Sequence, residues 1–266
     1  MRAEGTPDEG LKYDRQLLLL GPKRNALLDL SDVRRYGKDS YGDPDYVSIY
    51  GMRPAQWYGR GIRLLGRTAV ECTRDDLADS IARDIAALAV AAAPGTPVVA
   101  IDPFAGSGNT LYWMLRNLPG ARGVGFELDD AVFRLTVRNF SALGLPVDIR
   151  HTDYETGLRD VAVGDDDTIV AFIAPPWGSA LDPSSGLDLR RTTPPIAEVV
   201  EHFFATFRNH VVLCAVQIYE RVEPSSMADL QARFDRASVR SYTLNAPGAN
   251  HGIVLGERRP AARVAS

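Results

Sequence analysis

Residues 98–110 read VVAIDPFAGSGNT: an apolar run ending on Asp102, a turn of small residues, and Asn109 opening a periodic apolar stretch, LYWMLRNL. Gly106 and Gly108 permit positive φ and close backbone approach, and the first N–H groups of a following helix stay free to face a ligand. Such a turn suits a nucleotide-like molecule. The carboxylate of Asp102 at its mouth repels a pyrophosphate and attracts an amine or a sulfonium. GSGN also lacks both the G-x-G-x-x-G spacing of dinucleotide sites and the lysine of a P-loop. Further along, Glu127 closes GVGFELD, placed to accept both hydroxyls of a ribose. Asp153, in HTDY, is placed to accept from an adenine amino group. Each acid alone also reads as a helix cap or a solvated strand end; together with the glycine turn they form a set.

Positioning these groups requires strands that end at one edge. From Pro97 onward short β-branched runs (PVVAID, GVGFELD, VDIRHTD, TIVAFIAPP, HVVLCAVQI, RSYTL, GIVLGE) alternate with helical patterns at residues 109–118, 129–143, 196–207 and 227–237, the last introduced by Ser225 and Ser226 as N-caps. Alternation of this kind predicts an α/β fold, and the last two runs, joined only by NAPGANH, predict a hairpin. The expected result is a mostly parallel seven-stranded sheet with one reversed strand. A helix over residues 75–93, with Leu77, Ile81, Ile85, Leu88 and Ala92 on one face, covers its first strand. Residues 1–74, rich in Tyr, Arg and Gly near their end, read as an N-terminal extension, leaving 75–266 as the ligand-binding domain.

The chain has 266 residues, 45% apolar and 24% charged, with a net charge of −4. That balance excludes a disordered or membrane class and removes the bulk attraction that would make nucleic acid the first partner. A polar, acidic start and the short Leu17–Leu20 run give no signal peptide or membrane span, so a cytoplasmic protein is expected. Cys72 and Cys214 are the two cysteines, and the four histidines lack metal spacing; neither a disulfide framework nor a metal site is expected.

DPFAGSGNT, GFELD, HTDY and IAPPWG, in this order, resemble the motifs of class I S-adenosylmethionine-dependent methyltransferases. The Pro-Pro-aromatic tetrapeptide is similar to the subgroup acting on exocyclic amino groups of nucleobases. GIRLLGRTAVECTRDDLADSIA together with PPWG resembles the trimethylguanosine synthase (cap guanine-N2 methyltransferase) family. The resemblance spans roughly residues 55–180. It implies a Rossmann-like fold and S-adenosyl-L-methionine as the donor. Asp102 and the loop from Phe104 through Gly106, Ser107, Gly108 and Asn109 would hold its methionine moiety, with Thr73 near the carboxylate. Glu127 and Leu128 would take the ribose side, Asp153 and Tyr154 the adenine. The family's loop carries a further glycine before its asparagine, so either Asn109 or Thr110 takes that place.

Ala174, Pro175, Pro176 and Trp177 are the candidate acceptor residues. Two prolines end a strand in any case, but at the donor edge they wall a pocket: the Pro175 carbonyl can accept from an amine and turn its lone pair toward the donor, while Trp177 stacks on a planar acceptor or attracts a sulfonium. Amino-methylating relatives have Asn, Asp or Ser before the prolines; this chain has Ala174, losing one hydrogen bond worth about 1 to 3 kcal/mol when buried. That departure and the acidic charge favour a small aromatic or nucleoside-like acceptor over RNA. Guanine-N2 methylation of RNA is one alternative, and a SAM-consuming cyclase or lyase releasing methylthioadenosine is another. Residues 178–195 read as a polar lid or a solvated excursion. Tyr41, Tyr46, Tyr50, Trp57 and Tyr58 offer stacking surfaces or glue for the extension, Arg53, Arg60, Arg63 and Arg67 an anion contact or solvated charge, and His251 a remote candidate base.

Overall fold

The computed structural model describes residues 12–182, 184–243 and 251–260. Strands β1 (Val98–Asp102), β2 (Arg122–Glu127), β3 (Asp148–His151) and β4 (Thr168–Ile173) precede a two-stranded hairpin, β5 (Leu181–Asp182) and β6 (Gly186–Leu187). Then come β7 (Val212–Tyr219), β8 (Arg236–Tyr242) and β9 (His251–Arg258). Seven of them form one sheet in the order β3-β2-β1-β4-β7-β9-β8. Neighbours from β3 to β7 run parallel; β9 is antiparallel to both β7 and β8, the one reversed strand. The expected fold class and the antiparallel pairing of the last two strands are what the structure has. The NAPGANH connection lies largely outside the described residues.

Central strands of such a sheet are covered on both faces, and every residue of β4 is buried. Alternation sorts them: Ala100, Val170, Phe172 and Leu213 pack toward one face, Ile101, Ile169, Ala171 and Cys214 toward the other. The first face carries α4 (Asp75–Ala92), α5 (Asn109–Asn117) and α6 (Asp130–Leu143), and the second α7 (Tyr154–Arg159), α8 (Ile196–Thr206) and α9 (Pro224–Gln231). Helix α4 buries Leu77, Ile81, Ile85 and Ala92 as its spacing predicts, Leu88 only in part. It stops before Pro94 and Gly95, the glycine at φ +77°.

The segment before α4 holds a π-helix (Gln16–Leu20), α1 (Leu30–Tyr41), α2 (Pro54–Gly59) and α3 (Gly66–Glu71). Leu18, Tyr36, Ile49 and Trp57 from this segment join one apolar cluster with Leu111 and Met114 of α5 and Phe140 of α6. Full burial of side chains this large contributes about 1.5 to 3 kcal/mol each, which anchors the segment against α5, the helix that follows the loop after β1, and against α6.

Three local expectations are corrected. The helix expected at residues 227–237 occupies Pro224–Gln231, and residues 236 and 237 already belong to β8. Its N-cap is Glu223, whose carboxylate accepts from the N–H groups of Ser225 and Ser226, with Pro224 as the first helical residue. Residues 178–195 are more than a solvated excursion: they include β5 and β6, and Leu187, Leu189 and Thr192 are buried.

Candidate functional site

The loop after β1 is shaped by two glycines with different duties. Gly108 (φ +73°) is the residue before α5, and a Cβ there would lie 2.4 Å from Phe140 Cε2. Its missing side chain lets α6 pack under the loop. Gly106 (φ +50°) would put a Cβ no nearer than 3.9 Å, to the Phe104 carbonyl, so its backbone faces open space. Of the two, Gly106 is the one free to touch a ligand.

Two carboxylates meet at this loop. Asp102, 2% exposed, accepts from the Phe104 N–H at 3.1 Å; burial, with the like charge of Glu127, pushes it up to about 7. Glu127 ends β2 and accepts from Gly106 N at 3.0 Å through Oε2 and from Asp129 N at 2.8 Å through Oε1. Burial raises its pKa too, against those N–H groups. Each oxygen retains a lone pair for a ligand hydroxyl.

Asp153 caps α7, accepting from Thr156 N at 2.8 Å and Thr156 Oγ1 at 3.0 Å; the Thr156 N–H holds its carboxyl below the usual range. Its carboxylate is exposed, the capping alternative read from the sequence. Next to it the ring of Tyr154, 8% exposed and with its hydroxyl pushed up to about 12 by burial, lies 5.6 Å from Phe104. Leu128, by contrast, is 71% exposed just past Glu127, an apolar side chain standing at the rim of the loop's edge. The His151 ring accompanies it through a 3.0 Å contact with the Leu128 carbonyl.

Asn109 is spent within the protein. Its Oδ1 accepts from Tyr50 N at 2.7 Å, and its Nδ2 donates to the Thr73 carbonyl at 2.7 Å and to Asp75 Oδ1 at 3.2 Å. Tyr50, at φ +55°, donates its hydroxyl to the Ser107 carbonyl. So Tyr50, 2% exposed, is a clamp on the loop and not a stacking surface; Trp57, fully buried and donating to Val47 O, is likewise structural. Tyr41 and Tyr46 stack on each other, and Arg63 lies over Tyr58. Of the arginines, Arg67 pairs with Asp129 at 2.6 Å. Replacing Asn109 by alanine leaves the Tyr50 N–H and the Thr73 carbonyl without this partner, while Asp75 Oδ1 keeps the Trp113 Nε1 donor at 2.7 Å, and should cost about 3 kcal/mol. By thermal melting this is a fall of about 6 to 12 °C; a drop under 2 °C would contradict the clamp.

Beyond β4, Ala174 is half-buried, Pro175 buried, Pro176 exposed and Trp177 half-buried. The Trp177 ring lies 6.0 Å from Tyr219 and 5.7 Å from His251. His251, the candidate base, thus lies beside Trp177 and Tyr219, with burial and then the Arg74 guanidinium pushing its pKa down to about 4, an uncharged imidazole at neutral pH. Behind it Gln217 Nε2 stands 3.4 Å from His251 Nδ1, and Thr73 Oγ1 donates to Gln217 Oε1 at 3.2 Å. Gln217 and Tyr219 were missed from sequence. The signal was a glutamine inside the apolar run VVLCAVQI, buried there at 7% exposure.

Among the described residues no group of His, Cys, Asp or Glu could hold a metal ion, and no helix is long and apolar enough to cross a membrane. No protein-family model matches the sequence, and no curated protein matches it. Solved structures do. A Listeria monocytogenes protein provisionally assigned to the class I S-adenosylmethionine-dependent methyltransferases is 14% identical over 70% of this chain, with a TM-score of 0.46. The present chain spans 61% of that protein's length. The human methyltransferase 10 domain containing protein is 12% identical, covering 70% of this chain and 84% of its own, at TM-score 0.47. The methyltransferase domain of METTL16 is 11% identical, covering 71% of each chain, at TM-score 0.49.

Proposed function

We propose that the chain is an S-adenosyl-L-methionine-dependent methyltransferase acting on an amino or similar nucleophile of a small aromatic or nucleoside-like acceptor. The observation that carries this is Asp102: a buried carboxylate at the end of β1, beside the like charge of Glu127 and with one N–H for support. A cationic ligand relieves that arrangement, and an anionic one worsens it. The residues present fit the donor. Asp102 and the open backbone at Gly106 would hold its amino acid end, Glu127 the ribose, and Leu128, Phe104 and Tyr154 the flat base. Bound there, the donor supplies a methyl group on a positively charged sulfur, open to in-line displacement. The chain's own part is to orient the acceptor against Trp177, keep water out, and hold the acceptor's lone pair toward the methyl carbon. Ala174 contributes no side-chain acceptor, so orientation falls to the proline carbonyl and the aromatic wall. Guanine-N2 transfer to RNA, the narrower implication of the resemblance, would need a continuous basic path, and Trp177, Tyr219 and the uncharged His251 add no charge to one beyond the nearby Arg74.

Titration with S-adenosylhomocysteine should release heat at one site per chain. Incubation with S-adenosylmethionine and a cell extract should yield S-adenosylhomocysteine plus a methylated compound, and Trp177→Ala should slow that turnover at least about tenfold while changing donor affinity less than about twofold. Methylthioadenosine as the product would replace transfer by cyclisation or elimination. Absence of heat would end the donor assignment.

A further inference from the structure

A groove of about 530 Å³ opens where β7 ends, between α9 and the strands β8 and β9, with Tyr219, Val222, Met227, Val239 and His251 among its lining. Its size suits a small molecule. Two of its residues, Tyr219 and His251, are the partners of Trp177 in the acceptor wall, so groove and wall are continuous. Among the described lining residues there is one acid, Glu220, and no lysine or arginine. The Arg74 guanidinium acts on His251 at the polar end, but along the rest of the lining an apolar arm meets Val222, Pro224, Met227 and Val239.

The polar end of the groove is set from behind. Thr73 Oγ1 occupies the Gln217 carbonyl oxygen, which turns the amide N–H groups toward His251 Nδ1. The neutral imidazole then carries its proton on Nε2, as a donor. Thr73 is itself fixed by the Asn109 clamp of the donor loop, so the donor site and this donor are held by one connected set of residues.

We propose that the groove is the acceptor's entry and binding channel, and that it takes a flat aromatic amine with a hydrogen-bond acceptor near the amino group and an uncharged or cationic apolar arm. The head stacks on Trp177 within reach of the His251 N–H, and the arm lies against Met227 and Val239. This assignment rests on the donor reading above for its chemistry, but not for its test.

N-phenyl-1-naphthylamine, an uncharged arylamine whose emission rises in apolar surroundings, is the probe. Added to the full chain without donor, it should give a saturable rise in fluorescence. Met227→Arg on one wall, or Val239→Arg on the partly exposed opposite strand, should each weaken that binding at least tenfold while the heat of S-adenosylhomocysteine binding stays as in the wild type. The two positions lie on separate elements, so a folding defect in one variant leaves the other to decide. A wild type that does not saturate, variants that bind the probe as the wild type does, or displacement of the probe by polyuridylate would each overturn the proposal, the last in favour of a nucleic acid. Probe binding without any S-adenosylhomocysteine heat would leave an apolar site and remove its role as acceptor channel, because the donor reading alone would have failed.

Discussion

Gly108→Ala should lower the melting temperature by about 4 to 20 °C, whereas Gly106→Ala should lower it by no more than about 8 °C and instead weaken donor binding about tenfold. The asymmetry follows from what each missing Cβ would meet. At Gly108 it would lie 2.4 and 2.8 Å from two ring carbons of Phe140 and 3.4 Å from Thr136, in a core where Phe140 is 2% exposed and has no room to retreat. Overpacking of that kind costs about 1 to 3 kcal/mol, and a side chain at φ +73° adds about 1 to 2. A chain of this size loses about 2 to 4 °C per kcal/mol. Gly106 carries only the conformational cost, since its Cβ would project into open space. On the proposed reading that space takes the donor, so the loss should appear in calorimetric titration. Equal melting temperatures for the two variants would show that α6 does not support the loop in this way.

How far the sequence could be read depended on whether an element's identity is set locally. The ends of β1, β2 and β4 are marked by residues that sit where their chemistry predicts: Asp102, Glu127 and the proline pair close apolar runs that no helix could use. Alternation then gives the sheet, because buried parallel strands leave few other readings. The N-terminal segment resisted because its aromatic residues carry no period. Tyr50 and Trp57 look alike as exposed platforms or buried glue until the partners Ser107 and Val47, one of them 57 residues away, are known. Asn109 was legible as a loop residue but not as a clamp, since its three partners lie in a segment far upstream. Helix α9 was misplaced for a different reason. An acidic N-cap before proline competes with the serines that follow, and β8 begins just five residues after the helix, at Arg236. The cluster of Trp177, Tyr219 and His251 needed the reversed strand: only antiparallel pairing of β9 with β7 sets His251 opposite Tyr219, beside Trp177.

Asp102→Asn should make the free protein more stable at pH 8 and a far poorer binder of the donor. The sign comes from the carboxyl's folded pKa of about 7, raised from 3.8 chiefly by burial. A group shifted upward contributes stability that is fully present below its unfolded pKa and is lost as pH rises through its folded one. Between about pH 4 and pH 7 the wild type therefore gives up as much as about 4 kcal/mol that the uncharged amide does not. The variant's melting temperature should exceed the wild type's at pH 8 and converge with it near pH 4. Donor binding should run the other way. A sulfonium and an ammonium favour the ionised carboxylate, so binding to the wild type below pH 7 displaces a proton, and affinity should climb about tenfold per unit from pH 5 to 7 before levelling. In the variant that slope should vanish and affinity at pH 8 should fall about 30-fold or more, the loss of a charged hydrogen bond worth about 2 kcal/mol or more. Calorimetry in two buffers of different ionisation enthalpy reads the displaced proton directly. A wild type whose donor affinity is the same at pH 5.5 and pH 8, paired with a variant that melts no higher, would show that the charge of Asp102 is not what selects the ligand.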